Sequence, residues 1–226
     1  MMDSSSAEAA SFNERLTSEA LRLYRRYQLE IVEALGLCPW AVRARLDQKV
    51  ASRVLVQNDA SLEPSLAAIS DVAQSSKAEV VILIYPRFGG RRTHFEHFVA
   101  RLRDADARRH ALGQIPFVLA AFHPEATPDQ TDPERLVPFL RRSPDPSIQL
   151  LSSAVLERIR DVAPQGTQFM DASLFDAMVE PAPIPLRERI AQANFQTVAG
   201  MGIEAFEARI QDIFRDRNES YRALGL

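Results

Sequence analysis

Cysteine is nearly absent from this chain. Cys38 is the only one, which excludes an internal disulfide framework and fits a reducing compartment. Long apolar runs are missing too: nothing approaches the roughly 20 residues of a membrane-spanning helix. The opening MMDSSSAEAASFNE has neither the basic nor the apolar region of a secretory signal. Basic charge is not in excess. Lys and Arg number 27 against 30 Asp and Glu, a net charge of -3, so no overall basic field recruits nucleic acid or anionic lipid. There is no Gly-x-Ser-x-Gly elbow, no His-Glu-x-x-His, no paired-cysteine zinc motif and no P-loop or dinucleotide fingerprint. These absences predict a cytoplasmic protein without membrane or nucleic-acid partners, and they leave the cofactor open.

What remains is an ordinary globular composition. With 226 residues, 46% hydrophobic and 25% charged, the chain can bury one large core and carry an added helical piece. Residues 1–12 read as a disordered leader. From Asn13, the residues Leu16, Ala20, Leu23, Tyr24, Tyr27, Ile31 and Leu35 fall at helical spacing, and Gly36 suits a left-handed helix end. Strands are expected at Arg53–Val56, Val80–Tyr85 and Phe117–Phe122, with helices between them led by Ser61 and by a Thr93/Glu96 capping box. The run Phe117–Phe122 is continuously apolar and reads as a central strand covered on both faces. Ile148–Leu151 reads as a short edge strand, and Val155–Val162 as a helix. Strand–helix alternation predicts an α/β fold with a small, mainly parallel sheet flanked by helices over residues 13–180. A proline-punctuated break at Pro181–Pro185 then leads to a helical C-terminal extension, 181–226, packed on the same domain or on a second copy, so a homodimer is a possible partner state.

Chemistry concentrates where the third strand ends. His123 stands at its carboxyl end, where open α/β sheets keep their ligands. It reads either as a general acid or base or as a loop cap bonded to backbone carbonyls. Arg141 and Arg142 follow, able to grip a planar anion, with Ser143 beside them. Of the two, Arg142 is expected to face the ligand, because Ser143-Pro144 fixes the backbone behind it. Asp145 reads equally as a ligand contact or as the internal partner of one arginine. Cys38 has three readings: a nucleophile whose pKa is lowered by nearby positive charge, an axial thiolate, or a small buried hydrophobe. Trp40 suits a pocket wall. Arg87, in the glycine-bearing loop 87–92, offers a weak phosphate cradle. His94 and His97 lie three apart on a helix, which suits a solvated helix start better than a metal pair.

Three short blocks carry a resemblance: Leu37-Cys38-Pro39-Trp40-Ala41, Phe122-His123-Pro124, and Arg142-Ser143-Pro144-Asp145-Pro146 with Leu150-Leu151. Their order and spacing over about Tyr24 to Glu157 resemble a bacterial domain-of-unknown-function family, DUF1415. The resemblance implies a shared site made of Cys38, His123, Arg142 and Ser143, and no named reaction. This chain departs from the family pattern in having Trp40 for phenylalanine, Arg141 for asparagine, Gln149 for histidine and Ser152-Ser153 for Arg-Glu. The resulting expectation is an enzyme acting on a small anionic molecule at a cleft of Cys38, His123 and arginine. The alternatives are a haem or metal protein using Cys38 or His123, and a non-catalytic interaction module.

Overall fold

The computed structural model describes residues 4–75, 77–110, 115–162 and 184–226. Helix α1, Ser4–Tyr27, starts well before Asn13, so residues 4–12, expected as a leader, extend the helix. Phe12 explains the extension, because it packs with Leu16, Leu23, Tyr221 and Leu224. The helix runs on through a π-helical segment, Gln28–Glu33. It stops at Gly36, whose φ of 63° is left-handed. The Gly36 N–H donates to the Glu33 carbonyl at 3.1 Å and the Leu37 N–H to the Val32 carbonyl at 2.9 Å, a Schellman closure that sends the chain sharply away from the helix axis. Cys38 and Pro39 lie in that turn, and the short helix α2, Ala41–Leu46, follows.

The remaining elements are β1 (Val50–Val54), α3 (Leu62–Ser75), β2 (Val80–Ile84), α4 (Arg92–Ala107), β3 (Phe117–Phe122), α5 (Pro133–Leu140), β4 (Ser147–Ser152), α6 (Ser153–Val162), α7 (Leu186–Met201) and α8 (Ile203–Leu224). The fold is α/β. The sheet order is β1-β2-β4-β3. β1 runs parallel to β2, and β4 is antiparallel to both β2 and β3, so three strands share one direction and the sheet is mixed.

Two strand positions differ from expectation. β4 is central instead of an edge, and β3 is the edge instead of the centre. An edge strand reads as a continuous apolar run when helices cover both of its faces. Phe117 and Leu119 pack with α4, Phe122 packs with α5, and Val118 is 50% exposed. The Thr93/Glu96 capping box also fails to form. The helix cap is Arg91, without a side-chain cap bond, so Thr93 already lies inside the first turn, and Glu96 pairs instead with Arg92 at 2.8 Å. At α5 the cap is Asp132, which accepts the Glu134 N–H at 2.7 Å.

Two apolar layers sandwich the sheet. Leu66, Ile69 and Val72 of α3 and Phe95, Phe98 and Leu102 of α4 cover one face. Tyr24 and Tyr27 of α1, Leu136 and Phe139 of α5, Val198 of α7, and Phe206, Ile210 and Ile213 of α8 cover the other. The C-terminal helices thus share a core with the sheet. Of the expected Pro181–Pro185 break, residues 181–183 lie outside the described residues. Among the described residues no helix is long and apolar enough to cross a membrane.

The pairing places the carboxyl ends of β1, β2 and β3 on one edge together with the amino end of β4. The Tyr85 N–H donates to the Pro146 carbonyl at 2.9 Å, and the His123 N–H to the Arg141 carbonyl at 3.1 Å. The loops that carry Arg87, His123 and Arg141–Asp145 are therefore stitched together by backbone bonds.

Candidate functional site

His123 is 5% exposed, and both ring nitrogens are engaged. Nδ1 accepts the Glu125 N–H at 3.2 Å, so the ring proton sits on Nε2, which donates to the Gly90 carbonyl at 3.1 Å. The rings of Phe88 and Phe95 lie beside it. Loss of hydration pushes its pKa below the ordinary value, and a neutral imidazole is the form these bonds require. His123 caps a loop.

Arg142 turns the other way, into the layer of α5 and α8. Its Nε donates to the Pro124 carbonyl at 2.8 Å and its guanidinium pairs with Glu207. The rings of Phe139 and Phe214 lie 5.4 and 5.2 Å from the guanidinium carbon. His123 and Arg142 thus face opposite layers of the sandwich, and the structure does not bring these two side chains together.

The residues after Arg142 are also occupied internally. The Ser143 hydroxyl donates to the Asp145 carbonyl at 2.5 Å and accepts from Ser147 at 3.1 Å. Asp145, 1% exposed, accepts Arg217 Nε at 2.7 Å and the Tyr221 hydroxyl at 2.6 Å. Burial raises its pKa, and Arg217 and Tyr221 oppose that shift. Of the two readings of Asp145, the structure shows the internal one, with Arg217 as the partner.

A second group forms on the α1/α5 side of the sheet. The turn after Gly36 places Cys38 where the backbone N–H groups of Trp40 and Ala41, the Gln149 side chain and Arg141 all act on its thiol. Gln149 shares this face because it pairs with Ala120 and Ile82 in register. Burial nevertheless dominates and pushes the thiol pKa up. The lowering expected from nearby positive charge is therefore outweighed. Trp40 is half-buried and stands at the amino end of α2.

Arg141, expected to be the bystander of the pair, is the open one. It is exposed, with its guanidinium carbon 5.5 Å from the centre of the Phe122 ring. Its pKa is lowered by loss of hydration, and Tyr27, Arg187, Glu134 and Cys38 act on it electrostatically. Water reaches the side chain, while the Phe122 ring and Tyr27 lie beside it. Among the described residues its guanidinium has no hydrogen bond or ion pair. Arg187, the other guanidinium here, pairs with Glu134.

Arg87 stands apart from this group. It lies over the Phe12 ring and lines a cleft of about 540 Å³ beneath the end of α8. His94 and His97 are exposed on α4. Among the described residues no group of three or more His, Cys, Asp and Glu is placed to hold a metal ion.

Sequence reasoning missed Gln149, Glu207, Arg217 and Tyr221 as contacts of the candidate residues. Only Gln149 left a trace, as a departure from the family pattern. The family model described as a protein of unknown function (DUF1415) matches residues 21–173. The chain belongs to that family. No curated protein and no solved structure matches it. The DUF1415 match spans Cys38, His123, the Arg141–Asp145 segment and Gln149, and ends before α7 and α8. Glu207, Arg217 and Tyr221, which hold Arg142 and Asp145, therefore lie outside it.

The His123 bonds set a sign for its pH dependence. A folded-state pKa below the unfolded value means that the folded chain binds fewer protons, so this contribution is complete above about pH 6.5 and is lost as pH falls through the folded value. Imidazole NMR should show His123 as the Nε2–H tautomer, titrating below 6.5. In His123→Asn the corresponding fall in stability on acidification should shrink. A His123 titration at or above 6.5 would contradict the bond assignment.

Proposed function

We propose that the protein binds a small anionic molecule in the recess between Cys38 and Arg141. The observation that carries this reading is the placement of Arg141, an open guanidinium over the Phe122 ring with no carboxylate partner among the described residues. Charged groups in such places are ordinarily paired, and a planar oxyanion suits the guanidinium fork. Cys38 and Gln149 form the neighbouring wall, and the Arg187–Glu134 pair stands at the rim. Arg142 and His123 serve the scaffold in this reading, because their hydrogen-bonding groups are already committed.

Because Cys38 is the only cysteine, alkylation reads this recess without background. Arg141 should concentrate an anionic reagent beside the sulfur. The rate ratio of iodoacetate to iodoacetamide should therefore exceed that of a free small thiol by about tenfold, and Arg141→Gln should remove the excess. Arg142→Gln, if it folds, should leave the ratio unchanged. A wild-type ratio equal to that of the free thiol would refute the reading.

A second reading, thiol chemistry on the bound molecule, is favoured by the groups that oppose burial at the Cys38 thiol, the Trp40 and Ala41 N–H groups and Gln149. They would stabilise the thiolate left when the thiol proton passes to water, and sulfur would then add to a carbonyl carbon of the anion, whose C=O π pair moves to oxygen and takes a proton from water. No base stands beside the sulfur among the residues that act on it, and at position 149 the family pattern that this chain resembles has histidine. Gln149→His should therefore restore a thiol–imidazole pair and raise the iodoacetamide rate at pH 7 by roughly tenfold. An unchanged rate in a folded Gln149→His variant would remove this second reading and leave binding alone.

A further inference from the structure

At the carboxyl ends of β1 and β2 the end of α8 roofs a cleft of about 540 Å³ that shares no residue with the Cys38 recess. Its wall holds Arg87, Arg217 and Arg222, the amides of Asn58 and Asn218, and Tyr221, over a floor of Pro86, Phe88 and Leu226. None of these lining side chains is acidic, and the negative group among the lining residues is the main-chain carboxylate of Leu226. Asp145 lies behind the wall and orients Arg217 by accepting its Nε at 2.7 Å. The outer nitrogens of Arg217 have weaker ties, 3.4 Å to Asn218 Oδ1 and 3.5 Å to the Pro86 carbonyl. The Arg217 guanidinium also stacks at 4.4 Å on the Tyr221 ring, which fixes its plane. Arg87 rests on the Phe12 ring at 5.8 Å. Among the described residues neither Arg87 nor Arg222 has a carboxylate partner.

We propose that this cleft binds the phosphate group of a small phosphate monoester, with the organic part lying on Phe88. Three guanidiniums around one opening match a dianion that accepts forked hydrogen bonds. Two of them lack internal neutralisation, and the third is aimed by a buried carboxylate. The asparagine amides supply donors and acceptors for ester oxygens or hydroxyls, and the Phe88 ring gives the apolar contact that inorganic phosphate cannot use. The position, outside the carboxyl ends of parallel strands, is where α/β sheets hold ligands. Arg87 binds a phosphate here through its guanidinium and not through a glycine-rich backbone cradle. This inference does not rest on the Cys38–Arg141 reading.

The test is isothermal titration of the full chain with phenyl phosphate and with inorganic phosphate at low salt. One phenyl phosphate should bind per chain, more tightly than inorganic phosphate. Arg87→Gln and Arg222→Gln should each weaken binding by about tenfold or more, the loss of one charge-assisted hydrogen bond. Asn218→Asp, on an exposed helix position, adds negative charge to the wall without touching the core and should weaken binding as well. Arg141→Gln should have no effect. Absent binding, or binding unchanged in Arg87→Gln, Arg222→Gln and Asn218→Asp, would overturn the proposal. Loss of binding in Arg141→Gln alone would place the anion in the Cys38 recess, overturning this site while supporting the other.

Discussion

Two arginine–carboxylate pairs of opposite sense join the 142–145 loop to α8, and the arrangement of the whole sheet edge depends on them. Arg142 of the loop reaches Glu207 of the helix, and Arg217 of the helix reaches Asp145 of the loop. The Arg142 and Asp145 ends are buried. Removing one member of such a pair leaves an uncompensated charge, typically a cost of about 3–5 kcal/mol in a buried pair and less where one partner reaches water, as Glu207 and Arg217 do here. The exchange ties the C-terminal helix to the sheet and fixes the course of the backbone from Leu140 to Ser147. It also separates the two adjacent arginines, because holding Arg142 against Phe139 and Phe214 leaves Arg141 directed toward Cys38.

The same constraint orders the two cavities. Arg217 is oriented by Asp145 and presents its outer nitrogens to the cleft at the ends of β1 and β2. Arg141 stands at the carboxyl end of α5, over Phe122, and opens toward the π-helical end of α1. The turn closed by Gly36 brings Cys38 to Gln149. The block of charge and proline at 141–146 is thus largely bonded internally, and the groups left with unused hydrogen-bonding capacity stand immediately beside it.

Much of the fold was legible in the sequence. The apolar periodicity of α1, the left-handed Gly36, the buried run at Val80–Ile84 and the strand at Phe117–Phe122 are local signals, and the structure contains each of them. Strand order was not legible. β4 follows a helix of only eight residues and turns back between β2 and β3, and no local pattern in Ser147–Ser152 marks it as central. The site divides in the same way. The blocks around His123 and Arg142 do meet at one sheet edge through the His123–Arg141 backbone bond, since type and position suffice to find a strand end. Which arginine is free could not be read, because it depends on Glu207 and Phe214, more than 60 residues further along. The state of His123 depends likewise on the Gly90 carbonyl, 33 residues earlier.

The central claim is that Arg141 is the uncommitted guanidinium and that it faces the ligand space beside Cys38. A crystal structure of the chain carboxymethylated at Cys38 by iodoacetate tests this most directly. The account predicts the adduct carboxylate paired with the Arg141 guanidinium, while Arg142 keeps its bonds to Pro124 and Glu207. A carboxylate directed into solvent with Arg141 turned away, or one that draws Arg142 off Glu207, would contradict it.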